Sequence, residues 1–367
     1  MKHIMFIMTR LGGPGWGGAH KVSVMLANFL ANAGYRVSFS VYEPGPVDYP
    51  IDPSIKIYYL SQLFSRPQLR PLYFIKKLFA FRRLCKQKTV DAVVGFTSNM
   101  AFYTVLACVF SKRKSLVSER TDPHVEPRSK FLRGIRNLIF CFADRVIFQT
   151  PGAKSYYPRL VQNKSEIIPN PISPVLPGAF NNTRDNRIVN FCRIAPQKNL
   201  KTLLEAFDLF FQNHKDYTLE IYGNAKDGDA YQRELLAFAS SLPSGKNIHF
   251  LPACSDVHKK VISAKVFASS SDYEGLSNSM LEAMAIGLPV VVTDCQNGGE
   301  RMCIENGKNG IIVPCRDPKA MARAISKIVD NEVLAATLSE NAQHIKSRFS
   351  PVVVFNLWKH NFDTLLK

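Results

Sequence analysis

Residues 265–294, KVFASSSDYEGLSNSMLEAMAIGLPVVVTD, decide how the chain folds. KVFASS is a short apolar run and reads as a buried strand. A polar loop holding Gly275 follows. A helix then starts at about Asn278 and stops at Gly287 and Pro289, and PVVVTD is the next apolar run. Strand, helix and strand in one short stretch make a βαβ unit, and such units build parallel sheets. Two carboxylates interrupt the segment. Glu274 lies in the loop. Glu282 lies inside MLEAMAI, where every neighbour is apolar. A carboxylate on a mostly buried helix needs a partner. Hydroxyls of a bound ribose would supply one; a solvated place on an amphipathic helix is the alternative. Ser277 or Asn278 can cap the helix, whose N-terminus is then a ready anion site.

The same alternation extends outward. Upstream come the strand IVNFCRI, the helix NLKTLLEAFDLFFQNH, the strand YTLEIYG, the helix AYQRELLAFASSL and the strand NIHFL. The first half repeats the scheme. IMFIM is a strand, and a glycine loop leads into a helix where Val22, Met25, Leu26, Phe29 and Leu30 recur at helical spacing. Gly34 ends that helix, and RVSFSVY, DAVVGF, KSLVSE and RVIFQT are later strands. The expected fold is α/β, with two doubly wound Rossmann-like domains facing across a cleft. Residues 1–172 form the first domain, 173–187 a linker rich in Pro, Asn and Gly, and 188–348 the second. Residues 349–367 are a terminal helix that can pack back on the first domain.

Hydrophobic residues make up 46% of the 367 and charged ones 21%, enough apolar material for ordinary packed cores. No apolar run is long enough to span a membrane, and KHIMFIM reads as a buried strand rather than a leader. The eight cysteines include no CxxC pair and read as small buried hydrophobes. His124 and His258 lack metal-ligand spacing, so no metal is expected. Charge is unevenly spread. The net is +18, yet residues 1–172 hold 25 Lys and Arg against 9 Asp and Glu. Residues 70–88 and 128–142 mix these cations with bulky apolar side chains, which reads as an anionic membrane surface as partner; solvated amphipathic helices are the alternative. Nucleic acid suits the charge but not the grease, and no aromatic RNA-binding motif is present.

Four features bear on chemistry. Glu274 and Glu282 are the first. In FCRIAPQKNLKTLLEAF, Arg193 and Lys198 flank a loop between a strand and a helix, where two cations can neutralise a diphosphate. In LGGPGWGGAHKV, glycines after a strand let backbone approach a phosphate or sugar, and tight turns use glycine too. In LVSERTDPHVEP, Glu119 and Arg120 follow a strand and are expected to project into the cleft; a surface salt bridge is the alternative.

These residues carry a resemblance. EGLSNSMLE, with seven residues between its glutamates, resembles the EX7E segment of the retaining glycosyltransferases of family 4, which have the GT-B architecture. The resemblance implies that Glu274 lies over a donor sugar and that Glu282 bonds the nucleotide's ribose, with Gly275, Leu276, Ser277 and Asn278 between them binding donor. It implies that Arg193 and Lys198 hold the donor diphosphate, with no metal or other cofactor. The family's GGA pattern falls on Gly17 and Gly18, and its Ser-Glu-Arg variant on Glu119 and Arg120, toward the acceptor or donor sugar. Cys192 and His20 stand where the family commonly has Gly and Glu. The implied activity is α-retaining transfer of a hexose or N-acetylhexosamine from a UDP-sugar to a sugar hydroxyl. The basic, greasy first domain suits a polyisoprenyl-diphosphate-linked glycan acceptor, and hence a cytoplasmic protein peripheral on the inner face of the membrane. A sugar-nucleotide epimerase of the same architecture and a non-catalytic binder of lipid-linked sugar remain alternatives. A glycosidase fits less well, because its carboxylates must flank one sugar bond.

Overall fold

The computed structural model describes all residues except 14–17, 63–69, 179, 181 and 226–229, with Arg70, Pro71 and Ser98 described by backbone alone. The chain divides into two compact units, one of Met1–Asn170 with Val354–Lys367, the other of Pro171–Val353.

In the first unit the strands are β1 (His3–Met8), β2 (Arg36–Val41), β3 (Lys56–Tyr59), β4 (Ala92–Gly95), β5 (Lys114–Ser118), β6 (Arg145–Phe148) and β7 (Ser165–Ile167). They pair in parallel in the order β3-β2-β1-β4-β5-β6-β7. Helices cover the sheet, which is why β1 is buried at every residue and lacks polar alternation. The helix Gly18–Asn32 returns the chain from β1 to β2. It stops where Gly34 takes φ +88° and Tyr35 N donates to Leu30 O at 3.1 Å. The helix Pro351–Leu365 supplies this unit with Trp358, fully buried and stacked on Phe96 at 5.3 Å, and with Phe355 against Phe29. Its Asn361 donates to Glu166 at 2.8 Å.

In the second unit the strands are β8 (Asp185–Phe191), β9 (Thr218–Tyr222), β10 (Ile248–Leu251), β11 (Ala264–Ser269), β12 (Val290–Thr293) and β13 (Ile311–Val313), parallel in the order β10-β9-β8-β11-β12-β13. Leu200, Leu203, Leu204 and Phe207 of the helix Leu200–Phe211 share one core with Met321, Ile325 and Ile328 of the helix Pro318–Val329. β8 begins at Asp185, inside the segment read as linker. Strands β3, β7 and β13 have three or four residues each, too few for a period to show in the sequence.

Both sheets follow the doubly wound pattern, in which the strand order reverses beside the first strand. The reversal falls between β1 and β4 in one unit and between β8 and β11 in the other. Ligands of such sheets bind outside the carboxyl ends of the strands at that point.

Candidate active site

The loops that leave β8 and β11 carry Arg193, Lys198 and Glu274, so these residues meet at the reversal point of the second sheet. Beyond β8 the chain approaches β9 so closely that a Cβ on Gly223 would lie 1.9 Å from Cys192 O. A 3₁₀ turn, Pro196–Lys198, follows and ends at Asn199, in the left-handed region at φ +41°. Asn199 Nδ2 holds Asp272 Oδ1 at 2.8 Å, which fixes that turn against the loop after β11. Asp272 N donates to Gln197 O at 3.0 Å, and Ser270 Oγ donates to Asn199 O at 2.9 Å.

This stitching brings Lys198 Nζ onto Glu274 Oε1 as an ion pair, the two side chains only 14% and 10% exposed. Ser271 Oγ donates to the same carboxylate oxygen at 2.7 Å, and Gln197 Nε2 to the other at 3.3 Å. Burial works against the Lys198 charge, but the Glu274 carboxylate, with help from Cys192, leaves the ammonium pKa raised. Arg193 stays exposed on the same loop, bonded to Gln197 Oε1 at 3.4 Å. The site therefore offers one anchored and one solvent-facing cation. The helix Asn278–Ala285 starts after Ser277, whose Oγ accepts from Met280 N at 3.4 Å. Gly275 and Leu276 are buried, and Asn297 Nδ2 holds the carbonyls of Glu274 and Gly275 at 3.0 and 3.2 Å.

Glu282 takes a different partner. His258 Nε2 lies 3.1 Å from its Oε2, and the imidazole stands edge-on to Phe191. The partner that the apolar surroundings of Glu282 demanded is thus supplied in part by the protein. Gln197, Asn297 and His258 reach Glu274 and Glu282 from 77, 23 and 24 residues away along the chain, so these contacts leave no local pattern, and Ser271 is hidden in the serine run before Glu274.

Glu300, at the start of the helix Gly299–Cys303, is a third carboxyl beside this loop. Its Oε2 is buried with no hydrogen-bond partner among the described residues. Burial, helped by the Glu274 charge, pushes its pKa from 4.5 up to about 8. Between those values the folded chain holds a proton that the unfolded chain has lost. The stability this group contributes is therefore complete below about pH 4.5 and is lost as pH rises through 8. Glu300→Gln removes the titration, so its advantage over the parent should grow from pH 5 to pH 9 to roughly 3 kcal/mol. Urea unfolding at several pH values reads this directly; parallel pH profiles for the two proteins would contradict it.

In the first unit Gly18 opens the helix after β1, while Gly17 lies outside the described residues. Glu119 follows β5 and is buried. Arg136 of the helix Lys130–Phe140 turns inward and sits 3.6 Å from it, both side chains fully buried. Tyr157 OH and Thr121 Oγ1 donate to the carboxylate at 3.0 and 2.9 Å. Arg136 Nη2 donates to Pro123 O at 3.1 Å, and the guanidinium lies over Tyr157 at 5.0 Å. Arg136 and Lys77 thus leave the expected solvated cation set: Lys77 is buried over the rings of Tyr42 and Tyr103 at 3.6 and 4.2 Å. Arg120 lies over Phe96 at 4.7 Å and donates to Asn170 Oδ1 at 2.8 Å. Burial lowers its pKa against the opposing Glu119 charge, and its Nε and Nη2 have no partner among the described residues.

No group of three or more His, Cys, Asp or Glu is placed to hold a metal among the described residues, and no helix among them is long and apolar enough to cross a membrane.

Residues 178–345 match the sequence profile of "Glycosyl transferases group 1", and residues 16–175 that of "Glycosyltransferase Family 4". An uncharacterized glycosyltransferase of Haemophilus influenzae is 24% identical over 98% of this chain and 99% of its own. The Campylobacter jejuni GalNAc-alpha-(1->4)-GalNAc-alpha-(1->3)-diNAcBac-PP-undecaprenol alpha-1,4-N-acetyl-D-galactosaminyltransferase is 26% identical over 94% of this chain and 93% of its own. Among solved structures, sucrose-phosphate synthase from Thermosynechococcus elongatus aligns with a TM-score of 0.86 at 20% identity, covering 100% of this chain and 99% of that one. Anabaena HepE in complex with UDP aligns at 0.81 and 18% identity, covering 100% of both chains. Two parallel-sheet Rossmann-like units, each matched along most of its length, make this chain a glycosyltransferase of GT-B fold that belongs to glycosyltransferase family 4.

Proposed function

We propose that the chain is a retaining transferase moving a hexose or N-acetylhexosamine from a UDP-sugar to a sugar hydroxyl of a polyisoprenyl-diphosphate-linked glycan. The observation that carries this reading is the Lys198–Glu274 pair at the reversal point of the second sheet, with Arg193 beside it. A diphosphate there meets the Arg193 guanidinium, the Lys198 ammonium and the N-terminal end of the helix Asn278–Ala285. All three stabilise the negative charge that builds on the departing nucleotide. Glu274, fixed by Ser271 and Lys198, orients the donor sugar. Glu282, held by His258, meets the ribose. Arg120 brings buried unpartnered donors to the acceptor or donor sugar, and Glu119 acts as a positioning residue through Arg136. The Campylobacter relative is named for a diphospho-undecaprenol glycan, and HepE was solved with UDP; both fit this substrate pair.

Configuration tests the reading. An α-linked UDP-sugar should yield an α-linked product, seen in the anomeric proton coupling; a β product would sink the retaining assignment.

The acceptor places the first unit at a membrane. Phe131 is 75% exposed and Phe79 66%, Leu138 and Phe142 are also exposed, and so are Lys76, Arg83, Lys86, Arg128 and Lys130. Cations near an anionic leaflet contribute about 1 kcal/mol each, and apolar side chains add to that. The chain is then peripheral on the inner face of the cytoplasmic membrane. The Phe131→Ser/Leu138→Ser pair should reduce binding to phosphatidylglycerol vesicles by about tenfold or more. Unchanged sedimentation with vesicles would remove this surface from the account.

A further inference from the structure

Cys295 and Cys315 stand beside the loop that carries Glu274. β12 and β13 pair Thr293 with Val313 in register, and each cysteine lies two residues beyond its member of that pair. Opposite residues on neighbouring strands lie about 5 Å apart, within the roughly 4.4–6.8 Å Cα separation that a disulfide spans. Both thiols reach one atom: Cys295 Sγ is 3.5 Å and Cys315 Sγ 3.6 Å from Ser271 O. Thr293 Oγ1 donates to that same oxygen at 2.6 Å. Ser271 in turn donates its hydroxyl to Glu274. Both cysteines are free; Cys295 is fully buried and Cys315 half-buried. The neighbouring Cys295 thiol draws Cys315 down to about 7, and the Cys315 thiol, with burial, pushes Cys295 up.

We propose that Cys295 and Cys315 are a dithiol modification site that exchanges with low-molecular-weight disulfides, and that its oxidation loosens the Glu274 loop. The effect on catalysis rests on the donor role of Glu274; the thiol chemistry does not. The Cys315 thiolate attacks one sulfur of the small disulfide, breaks its S–S bond and releases one thiolate. Cys295 Sγ then attacks Cys315 Sγ and gives up its proton. The second small thiolate leaves and takes that proton. Two protein thiols lose two electrons, and one small disulfide becomes two thiols. The new S–S bond removes both S–H donors from Ser271 O and leaves it with Thr293.

The test oxidises the purified protein with excess glutathione disulfide and maps peptides without reduction. A Cys295–Cys315 cross-link should form. Amide exchange across 271–278 should then speed up by about tenfold or more, and nucleotide release should fall by a similar factor, both reversed by dithiothreitol. Cys315→Ser should exchange like the reduced parent and ignore glutathione disulfide. A missing cross-link, or a cross-link that leaves exchange at 271–278 unchanged, overturns the proposal. A reduced protein that releases no nucleotide would instead overturn the transferase reading, while mapping and exchange still decide the thiol chemistry.

Discussion

Lys198→Met should lower turnover by about 10²–10³, the usual consequence of deleting one charged stabiliser of a developing anion. It should also lower stability by roughly 3 kcal/mol, because it strands the Glu274 carboxylate in a largely buried position. The two losses separate in a second variant. Lys198→Met/Glu274→Gln removes both charges and leaves Ser271 and Gln197 to bond a neutral amide. Stability should then return to near the parent value while turnover stays low. Recovery of turnover along with stability would make the pair a structural ion pair and nothing more. Urea unfolding beside single-turnover rates distinguishes these outcomes.

The second large effect lies in the other unit and concerns stability. Arg136→Met should cost about 3–5 kcal/mol, since it leaves Glu119 charged and fully buried. The Arg136→Met/Glu119→Gln pair should regain most of that loss, because Tyr157 and Thr121 can still donate to the amide oxygen. Denaturant midpoints measure both. A single variant within about 0.5 kcal/mol of the parent would mean that the Arg136–Glu119 contact carries no weight.

These two pairs also mark where reading from letters succeeds and where it stops. Buried parallel strands are continuous apolar runs, so β1 and β12, buried throughout, and β5 and β8, buried over most of their length, are visible in the sequence. The edge strands β3, β7 and β13 are short and only partly buried, so they stand out less from the loops around them. Arg193, Lys198 and Glu274 are legible because each sits between a strand and a helix, where a doubly wound sheet gathers its ligand groups. That Lys198 and Glu274 form a pair is not legible, because the contact joins loops 76 residues apart in the chain. The same distance effect hides Gln197 against Tyr273 and Asn297 against Glu274. On the helix Lys130–Phe140, the letters show cations mixed with bulky apolar residues but not which of them turn inward. The fold buries Arg136 because Glu119, the carbonyls of Pro123 and Glu126 and the rings of Tyr156 and Tyr157 wait there, and exposes Phe131 and Leu138.

Nucleotide release from a panel of UDP-sugars, with polyisoprenyl-diphosphate-linked glycans present, tests the central claim most directly. The account predicts acceptor-dependent UDP release from at least one donor, lost in Lys198→Met. Release from no nucleotide sugar with any acceptor, or equal release by parent and variant, would contradict it.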